Sequence, residues 1–180
     1  MKYMFASDVH GSAYYCRKML DVYKEEKAER LVLLGDLLYH GPRNDLPREY
    51  APKQVISMLN DMKKEIYAVR GNCEAEVDQM VLQFPVMADY CILNLDGRTF
   101  YATHGHIYNE NNLPPIQEGD ILIHGHTHVL KAEQKEGYVL LNPGSVSIPN
   151  EGNPATYAIF EDGVFTIKDF EGNIVKSIKL

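Results

Sequence analysis

No apolar run in this chain approaches the roughly 20 residues that a bilayer-spanning helix needs, so no membrane association is expected. Cationic excess is missing as well: 18 Lys and Arg stand against 25 Asp and Glu, a net charge of −7. That balance leaves no broad positive surface to track a nucleic-acid backbone or an anionic membrane, and extended nucleic-acid binding is not expected. Cysteine is scarce, and Cys16, Cys73 and Cys91 are odd in number and irregularly spaced. A disulfide framework is therefore excluded, and with no secretory h-region before the first apparent strand, free thiols in a reducing cytoplasm are expected. Linkers rich in Pro, Gly and Ser, internal repeats and low-complexity segments are absent too. A chain of 180 residues, 45% hydrophobic, suffices for one substantial core, so residues 1–180 are expected to form a single domain.

What is present is an alternation of apolar runs and helical spacing. Lys2–Ala6 reads as a buried strand, and Ala13–Lys27 as a helix with Ser12 placed to cap it. Leu31–Leu34 reads as a second strand, Pro52–Met62 as a helix opened by its proline, Glu65–Val69 as a third strand, and Glu74–Leu82 as a third helix. Such alternation predicts βαβ units and a mainly parallel sheet. After Pro85 the pattern changes: Asp96-Gly97, Glu136-Gly137 and Asp162-Gly163 each split two apolar runs with hairpin chemistry. The second half is thus expected to be strand-rich and largely antiparallel, packed as a second sheet on the first.

Chemistry-bearing residues stand just past the strands. Asp8-Val9-His10 follows the first, Gly35-Asp36 the second and Gly71-Asn72 the third; Thr103-His104-Gly105-His106 ends a hairpin strand, and Gly125-His126-Thr127-His128 follows Asp120–Ile123. In an open α/β sheet the carboxyl ends of the strands form one crevice, so these clusters can converge. Taken singly, each is as readily a turn, a cap or a satisfied core histidine. As a set, two Asp, one Asn and four His offer mixed oxygen and nitrogen donors, which suit Mn²⁺, Fe²⁺ or Zn²⁺ better than Ca²⁺ or Mg²⁺. Seven ligands (Asp8, His10, Asp36, Asn72, His104, His126 and His128) exceed one ion's needs. With Asp36 shared, each of two ions receives four of them and keeps open positions for water and substrate.

The ordered set Asp8-x-His10, Gly35-Asp36, Gly71-Asn72, His104 and Gly125-His126-x-His128 resembles the calcineurin-like metallophosphoesterases over about residues 2–148. Within that superfamily, the stretches GDLLYHGPRN, RGNCEAEVDQ, ATHGH and IHGHTH resemble the YfcE type of small bacterial phosphodiesterase. The resemblance implies an α/β fold, a four-layer αββα sandwich of two mixed β-sheets flanked by helices. It implies a dinuclear centre with Asp8, His10, Asp36 and His128 on one metal and Asp36, Asn72, His104 and His126 on the other. The expected activity is hydrolysis of a small phosphodiester by a hydroxide bridging two divalent ions, with His104, Asn72 and Asp36 catalytic. Mn²⁺ is the first choice of metal, with Zn²⁺, Fe²⁺ or Ni²⁺ as alternatives, and the resemblance suggests a homodimer or larger homo-oligomer.

His106 and His124, next to ligands in sequence, are read as orienting or structural residues beside the ligands. Where most of the superfamily carries a histidine after Gly-Asn, this chain carries Cys73. A thiol of ordinary pKa, about 8.5, is a poorer acid than imidazolium at neutral pH, so Cys73 is read as pocket wall and not as a nucleophile. Good leaving groups, and a diester over a monoester, follow from that. Arg43, Asn44 and His40, in the irregular loop Leu38–Tyr50, are candidate substrate contacts, and a solvated proline-rich loop is an equal reading. The alternatives are a phosphomonoesterase and a non-catalytic scaffold using exposed Tyr14, Tyr15 and Ile148 as an interface. Retention of all the ligand side chains argues against the scaffold, and the open, oxygen-rich donor set argues against a closed structural metal site.

Overall fold

The computed structural model describes residues 1–180. Strand β1 (Tyr3–Ala6) is wholly buried and leads to helix α1 (Ala13–Glu25), whose first turn is capped by Ser12, its hydroxyl accepting the Tyr15 N–H at 3.2 Å. Spacing predicts this helix to Lys27, but it closes at Glu25. Lys27 turns to φ 54° and the Ala28 N–H donates back to the Tyr23 carbonyl, a left-handed C-terminal cap. Strand β2 (Arg30–Leu33), helix α2 (Pro52–Asp61) and strand β3 (Ile66–Ala68) follow as expected, with Pro52 in the first turn, where its missing N–H has no helical partner to lose. Helix α3 (Glu76–Val81) starts two residues later than periodicity suggests, because Glu74 turns inward and is buried.

The three hairpins form where the turn residues place them. β4 (Tyr90–Leu95) pairs with β5 (Arg98–Thr103), β7 (Lys131–Gln134) with β8 (Tyr138–Asn142), and β9 (Thr156–Glu161) with β10 (Val164–Asp169). Strand β6 (Asp120–Ile123) and the edge strand β11 (Ile174–Lys179) complete the set. The six-stranded sheet runs β11-β10-β9-β1-β2-β3 and the five-stranded sheet β4-β5-β6-β8-β7, both mixed. The second half is not as antiparallel as its hairpins suggest: β5 runs parallel to β6, and β6 to β8. Long crossovers through 104–119 and 124–137 return the chain to the same starting edge, as parallel pairing requires.

The sheets pack face to face through Phe5, Phe100, Phe160 and Phe165, with the Phe100 ring 6.0 Å from Phe5 and 5.1 Å from Phe160. Met19, Leu20, Val55 and Leu59 of the helices bury the outer face of the six-stranded sheet, against Met4, Leu31 and Leu33. The helices are few, and the other sheet's outer face carries the 104–119 segment, the Tyr101 hydroxyl donating to the Pro115 carbonyl at 3.3 Å. Tyr14, Tyr15 and Ile148 are half-buried and not the exposed patch expected from sequence. Arg48 lies 3.6 Å over the Tyr14 ring, and Tyr15 packs on Phe170. No helix is long and apolar enough to cross a membrane. Because β1, β2 and β3 share one direction and β5, β6 and β8 share another, the exits of each set open on one edge of its sheet.

Candidate metal centre

The exits of β1, β2 and β6 bend sharply. Asp8, His10, Asp36, His126 and His128 all hold left-handed backbone, with φ between 48° and 65°. For a non-glycine residue that region costs about 1 kcal/mol or more, and it persists only where neighbours fix it. Here the Asp8 N–H donates to the Gly35 carbonyl at 3.1 Å and the His10 N–H to the Asp36 carbonyl at 2.9 Å. The His126 N–H donates to Asp8 Oδ2 at 3.0 Å, and the Cys73 N–H to Asp36 Oδ1 at 2.9 Å. The loops lie so close that a Cβ on Gly71 would collide with Asp36 Oδ1, and one on Gly125 with Ser7 Oγ.

Three histidines are aimed by backbone carbonyls. The Nδ1–H groups of His10, His104 and His128 donate to the carbonyls of Tyr39, Leu34 and Ile148 at 2.8, 2.6 and 2.8 Å. A carbonyl can only accept, so Nδ1 carries the hydrogen and the neutral ring presents a bare Nε2 lone pair to the centre. His10 Nε2 lies 3.3 Å from His128 Nε2, and Asp8 Oδ1 lies 3.6 and 3.1 Å from these two nitrogens. Asp8 Oδ1 is buried and has no hydrogen-bond partner. Three acceptors facing one another repel unless a cation or protons sit among them. On the other side, His104 Nε2 lies 3.0 Å from Asn72 Oδ1, 3.2 Å from His126 Nδ1 and 3.4 Å from Asp36 Oδ2. Asp36 Oδ2 is also 3.6 Å from His10 Nε2, which puts this carboxylate between the two groups. The donor set and the orphaned Asp8 oxygen fit divalent cations.

Without cations, protons take that role. Burial opposes the charge on His104, but the hydrogen bond to Asp36 and the charges of Asp8 and Asp36 outweigh it and lift the ring to about 9. Burial would raise Asp8, yet the His10, His128 and His104 imidazoles around it, which favour its charged form once they carry protons, hold it well below the usual carboxylate range.

A pocket of about 320 Å³ opens over this centre, and Arg43, Asn44, Cys73 and Asn150 line it together with the candidate ligands His10, Asp36, Asn72, His126 and His128. Cys73 Sγ comes within 4.8 Å of ligand atoms on His10 and Asp36, while burial and the Asp36 charge push its thiol well up, so it stays neutral. His40 does not line the pocket: its ring stands edge-on between Tyr39 and Tyr50, at 4.7 and 5.2 Å. His106 also stays off the pocket wall, its ring 5.4 Å from that of His104, and burial lowers it to about 4. His124 is fully buried and hydrogen-bonded to the Gly125 carbonyl and to Glu110, each at 3.0 Å.

Two contributors have no place in the sequence reading. The loop after β8 sends the Ser145 and Ser147 hydroxyls to the Asp8 carbonyl, each at 3.0 Å, and Asn142, the last residue of β8, sends Nδ2 to the Gly125 carbonyl at 2.9 Å. The strand-end rule that marks the other loops, applied to the Asn-Pro-Gly-Ser exit of β8, finds this one. Glu74 accepts the N–H groups of Asp36, Leu37 and Gly71 at 2.8, 2.7 and 2.6 Å, and no spacing or periodicity announces it.

Residues 1–162 match the Calcineurin-like phosphoesterase superfamily domain. Phosphodiesterase YfcE of Escherichia coli (strain K12) is 46% identical over 167 residues, covering 93% of this chain and 91% of that protein. A solved structure of Yfce, described as a phosphoesterase from E. coli, matches with a TM-score of 0.97 and 43% identity over 99% of both chains. Vacuolar Protein Sorting 29 of Cryptosporidium parvum matches with a TM-score of 0.66 and 17% identity, over 99% of this chain and 98% of that one. The last likeness speaks for the fold alone, because function lives in the site a fold carries. With the superfamily domain spanning most of its length and a relative this similar over nearly all of it, the chain belongs to the calcineurin-like phosphoesterase superfamily.

Proposed function

We propose that this chain is a metal-dependent phosphodiesterase acting on a small phosphodiester, with residues 1–180 working as one domain and two divalent cations, Mn²⁺ first among them, at its centre. The observation that carries the reading is the set of bare Nε2 lone pairs and carboxylate oxygens turned toward one another around Asp36 Oδ2. The 46% identity to an E. coli phosphodiesterase supports the same substrate class. Bound there, divalent cations supply an activated water at neutral pH and positive charge for the phosphoryl oxygens.

The chain's own residues do the rest. Asp8, His10 and His128 would hold one cation and Asn72, His104 and His126 the other, with the Asp36 carboxylate available to both. Arg43, exposed on the pocket wall, offers a guanidinium to a phosphoryl oxygen. Cys73, a neutral thiol shielded by burial, gives a leaving alkoxide little acid assistance, so esters with good leaving groups and one negative charge are favoured. Three free cysteines suit a reducing cytoplasm.

The test uses metal-stripped protein given Mn²⁺, with bis(p-nitrophenyl) phosphate compared against p-nitrophenyl phosphate. The diester is hydrolysed faster, and Asp36→Ala lowers its turnover by about a hundredfold or more, since it removes a ligand that both cations share. A monoester preference overturns the choice of substrate, and turnover indifferent to metal overturns the mechanism.

A further inference from the structure

Beside the metal pocket lies a groove of opposite chemical character. The metal pocket has one hydrophobic residue among 11, whereas the groove, about 390 Å³, has eight among ten. Tyr39, Tyr50, Ile56, Val77 and Val81 line it, and Cys73 lines both depressions. Tyr39 is 43% exposed, Val77 59% and Val81 39%, so the fold does not consume these surfaces. The valines stand four residues apart on α3 and share one helix face. The only ionisable carboxylate on the groove is Asp78, which is almost fully buried and accepts the Ala75 N–H at 2.8 Å. No Lys, Arg or His lines the groove, so it offers an anion no opposite charge.

A phosphodiester has two organic arms on one phosphorus. With phosphorus at the cations, one arm departs and the other rests against whatever adjoins the pocket. The pocket itself is lined mainly by polar side chains, and past Cys73 the surface turns apolar. A cysteine is small enough to leave that passage low.

We propose that this groove is the subsite for one arm of the substrate, an uncharged alkyl or aryl ester group, with Cys73 as the wall over which that arm passes from the metal pocket. The proposal rests on the phosphodiesterase reading and narrows its substrate class to diesters with at least one apolar arm. Such an arm gains by leaving water against the tyrosines and valines, while a second charged group gains nothing there.

A series of mixed diesters tests this. All carry p-nitrophenol as the constant leaving group, and the second arm runs from methyl through butyl to hexyl. With Mn²⁺ present, kcat/KM rises about two- to fourfold for each added methylene until the groove is filled, mainly through KM. In the double variant Val77→Ser/Val81→Ser, whose folding is checked by circular dichroism and Tm, the hexyl-to-methyl ratio falls toward one. Equal rates across the series in the parent protein overturn the groove and leave the phosphodiesterase reading standing, as does a ratio that the double variant does not move. Hydrolysis of none of the esters sinks the phosphodiesterase reading itself, and the groove with it.

Discussion

Glu74 is a single side chain on which two loops depend. It is 7% exposed, and its carboxylate takes backbone N–H groups from the exit of β2, at Asp36 and Leu37, and from the exit of β3, at Gly71. Burial and the Asp36 charge raise it to about 7 even though those three N–H groups favour the carboxylate. Removing it strands three buried donors at about 1 kcal/mol or more each, so Glu74→Ala should lower the urea-unfolding free energy by about 3 kcal/mol or more. Because the same bonds place Asp36 and Asn72, Mn²⁺ affinity measured by calorimetry should fall about 10- to 100-fold in Glu74→Ala and less in Glu74→Gln, which keeps an acceptor oxygen. Both variants binding Mn²⁺ like the parent would remove the clamp from the account. The contrast with Asp8 or His128 shows what a sequence displays at this scale. An Asp or His just past a strand is legible because its donor chemistry is unusual there, whereas the partners of Glu74 are backbone atoms, which have no letter. His40 misleads for a different reason: beside Arg43 it looks like a substrate contact, but the fold sets its ring between Tyr39 and Tyr50 and off the pocket wall, a packing that spacing along the chain does not display.

At the scale of elements, the 104–119 segment carries His104 away from β5 and is tied down at Glu110. That carboxylate pairs with Lys131 of β7 and lies 3.0 Å from His124 Nε2. Burial would raise Glu110, but the Lys131 hydrogen bond leads the effects that lower it, from 4.5 to about 2. A folded-state value below the unfolded one means the contribution is complete above about 4.5 and disappears as pH falls toward about 2. The pair is partly exposed and screened, so its worth is about 1 kcal/mol. Glu110→Gln should therefore lower Tm by about 2–4 °C at neutral pH and by nothing measurable at about pH 2. A gap that persists in acid would assign the loss to packing. The hairpins flanking this region were readable because Asp-Gly and Glu-Gly favour tight turns. The parallel run β5-β6-β8 was not, since side-chain alternation is the same for either strand direction and the direction is set by the crossovers. Strand β11 gave little signal for a related reason: it has one partner, its side chains alternate only between exposed and half-buried, and its apolar residues Ile174, Val175 and Ile178 do not follow period two.

At the scale of the molecule, the two sheets share the site. The six-stranded sheet supplies Asp8, His10, Asp36 and Asn72 from the exits of β1, β2 and β3, and the five-stranded sheet supplies His104, His126 and His128 from β5 and β6. Cations held by both sets would tie the sheets together beyond the Phe5–Phe100 packing, and they would relieve the facing lone pairs of His10, His128 and Asp8. The unfolded chain has no such assembly, so binding adds directly to stability. At a free concentration of about 100 times Kd the gain is about 2.7 kcal/mol. For a chain of 180 residues this corresponds to a rise in Tm of about 5–10 °C. Mn²⁺ should produce that rise in metal-stripped protein and Mg²⁺ a smaller one, because imidazole donors suit the first-row ion better. In Asp36→Ala most of the rise should vanish, since the carboxylate between the two groups is gone while the sheets and their aromatic core are untouched. Melting curves of parent and variant with each ion separate the cases: a Tm that ignores Mn²⁺ at concentrations supporting turnover would mean that the sheets meet without help from the metals and that the strained loops are held by protein contacts alone.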